Sequence, residues 1–104
     1  YVEARVGRLM SYSVITLQAQ GKVPNHEASM TKLYSSELTQ RIARTGMKVL
    51  GMYGQFSSSS VAWAPMKARV AKQYLYAVAV TIGGGTSEVQ RNIIATRGLG
   101  LPRD

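Results

Sequence analysis

The chain has 104 residues, with 13 Lys and Arg against five Asp and Glu, so its formal net charge is +8. It has no cysteine, which excludes disulfides and fits the reducing cytoplasm. No apolar run approaches the roughly 20 residues that a membrane-spanning helix needs. We therefore expect one domain over residues 1–104, in the cytoplasm, whose charge attracts polyanions such as nucleic acid or a phosphate-bearing cofactor.

Hydrophobic periodicity predicts four helices and no strand. The first runs from Val2 and ends near Gly21, and the second begins with Asn25 as its cap and continues to about Leu50. A loop rich in glycine and serine follows over residues 51–60. The third helix starts around Pro65 and stops at the glycine run 83–85, and the fourth covers about residues 87–96.

Each predicted helix carries an apolar stripe that we expect to be buried. Helices with such stripes and short connections predict an all-α fold, an antiparallel bundle. The predicted buried residues are Val2, Val6, Leu9, Met10, Val14 and Leu17; Met30, Leu33, Tyr34, Leu38, Ile42 and Val49; Met66, Val70, Tyr74, Ala77 and Val78; and Val89, Ile93 and Ile94.

The charges of the second helix suggest two arrangements. Glu37 and Arg41 stand four residues apart in the favourable order for an ion pair within the helix. Arg41, Arg44 and Lys48 then form a row of like charge. This row is either a solvated face or a surface that meets an anion.

Metal binding and triad catalysis lack their usual residues. His26 is the one histidine, at a helix start where a surface or capping role is expected, and the only aspartate is terminal. No carboxylates stand at ligand spacing. We therefore expect no metal site and no self-contained catalytic triad.

The run GGGTS, residues 83–87, precedes the last helix. Glycines let a backbone approach a ligand closely, and Thr86 or Ser87 can cap the helix, with Ser87 and Gln90 as a capping box. An ordinary tight turn with a cap explains the same residues. The run lacks the lysine of a P-loop and follows no strand, which disfavours nucleotide hydrolysis.

Two longer segments resemble the C-terminal helical domain of the acyl-CoA dehydrogenase family. They are IGGGTSEVQRNIIATRGLGLPR, residues 82–103, and PNHEASMTKLYSSELTQRIARTGMKVLGMYGQ, residues 24–55. The resemblance implies three long bundle helices plus a short C-terminal helix. The family's first bundle helix, with its Arg-x-x-Phe-Gly motif, has no counterpart before Tyr1, so we expect a piece of a longer protein.

The resemblance also implies site residues, all for FAD. Thr86 and Glu88 match positions that contact the cofactor in the family, and Gly84 occupies the position where some members carry the glutamate base. The matching segment of the preceding loop reaches the partner subunit's FAD in the family. Its residues here are Lys48, Gly51, Met52 and Gly54.

The resemblance implies a flavoprotein of fatty acid metabolism that forms an α,β double bond in acyl-CoA thioesters and passes electrons to an electron-transfer flavoprotein. This chain would supply FAD contacts and the interface of a homodimer or homotetramer, and would be inactive alone. The base then lies on the absent helix, or the chain is a subunit without one. The alternatives are a basic helical module that binds nucleic acid, for which no helix-turn-helix pattern is present, and an oligomerisation bundle without catalysis.

Overall fold

The computed structural model describes residues 1–103, which contain four α-helices and no strand. The helices are α1, Val2–Ala19; α2, Asn25–Leu50; α3, Arg69–Val80; and α4, Ser87–Ile93. Short 3-10 helices cover Gly51–Gln55 and Pro65–Ala68, and a π-helical turn, Ile94–Gly98, extends α4. The prediction of an all-α bundle with three long helices and a short C-terminal one is confirmed.

The helix ends follow local backbone chemistry, with one correction. Gly21 adopts a φ of 73°, and its N–H donates to the Gln18 carbonyl at 2.9 Å, which ends α1 as predicted. The prediction that Asn25 caps α2 is wrong, because Pro24 occupies the cap position and Asn25 is already helical. The Asn25 side chain instead accepts a hydrogen bond from Arg97 at 3.0 Å, which ties the start of α2 to the C-terminal segment.

The third helix begins later than predicted. Pro65 starts a separate turn in which Met66, Lys67 and Ala68 have φ angles of 51°, 54° and 58°. Left-handed backbone costs an L-residue about 1–2 kcal/mol and cannot continue a right-handed helix, so α3 starts only at Arg69.

Helix α2 lies at the centre of the fold and contacts α1, α3 and α4. The buried apolar residues are small ones with a single leucine: Leu38, Ala43, Ala68, Ala71 and Ala77. A Cβ on Gly46 would come within 2.9 Å of Val70, so α2 and α3 approach closely at this glycine.

The predicted burial of the apolar stripes is confirmed for Leu38 and Ala77, but it is wrong for half of the stripe residues, which are exposed. Val2 is 72% exposed, Leu9 62% and Val49 79%, and on α1 only Gly7 is buried, beneath the ring of Tyr34. The contacts between the helices of residues 1–103 therefore cover only part of each apolar face.

The overall dimensions agree with these open faces. The radius of gyration is 17.1 Å, whereas a chain of this length that packs as a separate domain has one of about 13 Å. The accessible surface is 7513 Å², and a folded monomer of 11.3 kDa exposes about 5,700 Å². The excess of about 1,800 Å² is more than twice one partner's share of a standard protein interface.

The two arginine–glutamate ion pairs among residues 1–103 each join two helices. Arg41 pairs with Glu3 of α1 at 2.6 Å, and Glu37 pairs with Arg91 of α4 at 2.6 Å. The predicted Glu37–Arg41 pair is therefore wrong, because α1 and α4 flank α2 and bring each charge its own partner. Arg44 donates to Gln40 of its own helix.

Candidate flavin-contacting hinge

A glycine turn joins α3 to α4, and we call Gly83–Thr86 the hinge. Gly84 and Gly85 adopt φ angles of 72° and 100°, which L-residues with side chains rarely populate. A Cβ on Gly84 would meet no atom within 4 Å, whereas one on Gly85 would lie 2.7 Å from Nε2 of Gln90. Gly85 therefore has to be glycine for packing, while Gly84 leaves open space above the backbone.

Two side chains fix the carbonyl groups of the hinge. Gln90, which is only 5% exposed, donates to the Gly84 carbonyl at 2.8 Å, and Lys32 of α2 donates to the Gly85 carbonyl. The predicted capping box of Ser87 and Gln90 is wrong, since Gln90 reaches the turn instead. Sequence reasoning missed Lys32, although it lies in the segment 24–55 that resembles the family.

The amides of the hinge remain available as donors. The N–H groups of Gly84, Gly85 and Thr86 have no acceptor within residues 1–103, and Gly84 is exposed while the other two residues are half-buried. The carbonyl groups of Gly84 and Gly85 accept hydrogen bonds from Gln90 and Lys32. The three N–H groups, in contrast, can donate to an acceptor outside the described residues.

Thr86 and Glu88 organise the start of α4. The Thr86 hydroxyl oxygen accepts from the N–H of Val89 at 3.3 Å, so Thr86 is the cap, one of the two predicted candidates. The N–H of Glu88 itself, the Thr86 hydroxyl and the charge of Arg91 lower the pKa of the Glu88 carboxyl. Glu88 therefore places a stable negative charge at the helix start, beside the hinge.

The second predicted group lies at the other end of α2. Lys48 is exposed in the last helical turn, Gly51 follows with a φ of 54°, and Met52 is 86% exposed. Gly54 differs, because it is buried and a Cβ there would meet the side chains of Leu50 and Met47 at 3.2 and 3.4 Å. A side chain at position 54 would therefore crowd Leu50, which would have to shift by a few tenths of an ångström.

The structure does not bring the two groups together in one chain. Lys32 contacts the hinge, and Lys48 lies sixteen residues further along α2, a distance of about 24 Å at the helical rise. One copy of the chain thus presents two separate surfaces.

A polar groove of about 320 Å³ lies between α2 and the start of α4. Arg41, Arg44 and Arg91 line it, but so do the carboxylates of Glu37 and Glu88. These opposite charges offset much of the positive field that the row on α2 would create, which favours a solvated face over an anion-binding one.

His26 is half-buried at the start of α2. Its Nδ1 atom lies 3.4 Å from the Glu27 carboxylate, and its ring packs beneath Gly98. Within residues 1–103, no three histidine or acidic side chains cluster so that they could hold a metal ion. Nor does any helix in this range have both the length and the apolar character to cross a bilayer.

Known proteins that resemble the chain give independent evidence for its family. The family model described as "Acyl-CoA dehydrogenase, C-terminal domain" matches residues 1–99. The acyl-CoA dehydrogenase FadE26 of Mycobacterium tuberculosis is 33% identical over 106 residues, covering 99% of this chain and 26% of the relative. FadE29 of the same organism is 29% identical, covering 95% of this chain and 24% of that protein.

Solved structures match the whole fold. The ChsE4-ChsE5 complex from Mycobacterium tuberculosis superposes with a TM-score of 0.87 at 34% identity, covering 99% of this chain and 26% of the other. A structure titled "Tcur3481-Tcur3483 steroid ACAD" gives a TM-score of 0.91 at 27% identity, covering 100% and 27%. The chain thus spans about a quarter of the length of the relatives it matches.

Proposed function

Because the chain belongs to the acyl-CoA dehydrogenase family, as its C-terminal domain, we propose that it serves a flavin-dependent dehydrogenase of acyl-CoA thioesters. The observation that carries the proposal is the set of free amides at the hinge. FAD, when bound, supplies the hydride acceptor of the reaction. The chain's own task is to hold and orient that cofactor.

The chemistry of the hinge suits a neutral acceptor. The amides of Gly84, Gly85 and Thr86 can donate to carbonyl oxygens such as those of a flavin ring, and Gly84 has no Cβ to keep the ring away. The ionised carboxylate of Glu88 next to them repels phosphate. The flavin end of FAD therefore fits here better than its pyrophosphate.

The charged end of FAD fits the second group. Lys48 is exposed and cationic, and the neighbouring Gly51 has open space above its backbone. Since this group lies about 24 Å from the hinge along α2, we propose that the two groups of one copy serve two different FAD molecules across a subunit interface. In this proposal, the exposed apolar side chain of Met52 contacts the cofactor, and Gly54 shapes the turn.

Assembly is part of the proposal. The apolar faces and the excess surface suit a large interface, and the two similar structures carry the names of two-protein complexes. We propose a homodimer, a homotetramer or a pair with a related subunit. We place the enzyme in the cytoplasm, where it passes its electrons to an electron-transfer flavoprotein. Because glycine stands at position 84, a base from elsewhere removes the α-proton, and this chain alone shows no turnover.

A matched pair of variants tests the proposal. Gly84→Ala adds a Cβ where the flavin is expected, and Gly21→Ala adds one at an equally open turn with almost the same φ, 73° against 72°. Both variants carry the same backbone strain, so they separate a lost contact from lost stability. We expect quenching of flavin fluorescence to report weaker FAD binding for Gly84→Ala only.

Equal affinities for the two variants would contradict the flavin contact. Turnover is assayed in parallel with a straight-chain acyl-CoA and, given the relative titled a steroid ACAD, with a CoA thioester of a steroid acid. Dehydrogenation of either compound by the chain alone would contradict the assignment of the base to another part of the enzyme.

A further inference from the structure

The start of α3 carries a basic surface that the flavin proposal does not use. An open groove of about 680 Å³ lies at the opposite end of α3 from the hinge. We call it the basic groove. Its lining residues are Met66, Lys67, Arg69, Lys72, Gln73 and Tyr76.

The cations of this groove have no counterion among residues 1–103. Lys67, Arg69 and Lys72 take part in no ion pair or side-chain hydrogen bond among the residues that the structure describes. The sequence explains why, because no Asp or Glu occurs anywhere between Glu37 and Glu88. Among residues 1–103, no acidic side chain neutralises these three charges.

The form of the groove favours a macromolecule over a small ligand. All of its lining residues are exposed, whereas small-molecule sites enclose most of their ligand. Met66 is 65% and Tyr76 66% exposed, so an occupant would also cover apolar surface. A free phosphate would use neither of these side chains.

The four glutamates of a second copy are already engaged and do not supply the missing anions. Glu3 and Glu37 are already paired with arginines, Glu27 lies beside His26, and Glu88 is held by local hydrogen bonds. The charge therefore points to a partner of different sequence.

From these observations we infer that the basic groove docks an acidic, partly apolar segment of a protein other than this chain. Carboxylates of the segment pair with Lys67, Arg69 and Lys72, and its apolar side chains cover Met66 and Tyr76. The inference goes beyond the proposed function, because its three cations belong to neither of the two groups that we assign to FAD.

The test uses the 104-residue chain and a fluorescein-labelled peptide of alternating glutamate and leucine. We expect fluorescence anisotropy to report binding that weakens at least about tenfold in the triple variant Lys67→Glu, Arg69→Glu, Lys72→Glu. The matched control reverses the exposed residues Arg5, Lys22 and Arg103, which changes the net charge equally. Circular dichroism checks that both variants keep their helices, and the triple variant with glutamine at the same positions gives a second comparison.

The outcomes separate the possible anions. The inference is supported if peptide binding is lost in the groove variants but not in the control variant. It also requires that a peptide with glutamine in place of glutamate does not bind. Equal loss in the control variant overturns it, because net charge alone then explains binding. Tighter, groove-dependent binding to duplex DNA or to phosphatidylglycerol vesicles also overturns it. The turn that carries Lys67 contacts Gly51–Gln55, so the control for the flavin proposal is made at the hinge instead. Gly84→Ala should keep its affinity for the peptide, which makes failure of the inference distinguishable from failure of the flavin proposal.

Discussion

Replacing Gly46 with alanine tests the contact between α2 and α3. The new Cβ would lie 2.9 Å from Cγ1 of Val70, closer than real Cβ contacts, and the β-branched valine has little freedom to move away. Overpacking of this kind costs about 1–3 kcal/mol, while alanine in a helix gains about 1 kcal/mol over glycine. We expect the free energy of unfolding to stay unchanged at best and to fall by up to about 2 kcal/mol.

Gly7→Ala is the matched control, since this glycine also lies inside a helix and faces α2. Its Cβ would meet the ring of Tyr34 at 3.5 Å, an ordinary van der Waals distance. The helix propensity then acts alone and stabilises the chain by about 1 kcal/mol. The two variants should differ by about 1–3 kcal/mol, and each kcal/mol shifts the melting temperature by about 4–8 °C.

Urea denaturation followed by circular dichroism measures both changes. In a Val70→Ala background the obstacle is removed, so Gly46→Ala should stabilise there as Gly7→Ala does. The reasoning is refuted if Gly46→Ala in the unmodified chain raises stability as much as Gly7→Ala. The close approach of α2 and α3 at residue 46 would then be wrong.

Two further predictions concern charged groups. A double-mutant cycle of Glu37 with Arg91 should give a coupling energy of about 0.2–1 kcal/mol that weakens with salt. A cycle of Glu37 with Arg41 should give none. The reverse result would show that Glu37 pairs with Arg41 within α2 after all. The pKa of Glu88 should lie below 4.5 by carboxyl NMR and rise in Thr86→Val. Because the pKa is lowered on folding, its stabilising effect is present above pH 4.5 and is lost as the pH falls through the folded value; an unchanged titration in Thr86→Val would contradict this.

The sequence predicted the helices well because their ends depend on local chemistry. Gly21 ended α1 and Thr86 capped α4 as expected, and both signals involve only a few neighbouring residues. Pro65 misled the assignment of α3, because proline suits the first turn of a helix but does not reveal the left-handed backbone that follows.

Packing was harder to predict than helix ends. A stripe such as that of Val2 and Leu9 shows which side of a helix is apolar, but not whether another part of the same chain covers it. The predicted ion pair was wrong for the same reason, since Arg41 pairs with Glu3, 38 positions away, and not with Glu37. The hydrogen bonds that Lys32 and Gln90 donate to the hinge carbonyls likewise depend on tertiary contacts.

Titration of ¹⁵N-labelled chain with FAD tests the central claim about the hinge most directly. We predict that the amide signals of Gly84, Gly85 and Thr86 shift, that those of the equally exposed glycine turn at Gly21 do not, and that FMN reproduces the effect while ADP does not. Unshifted hinge amides, or shifts that ADP produces equally, would contradict a flavin contact at this turn.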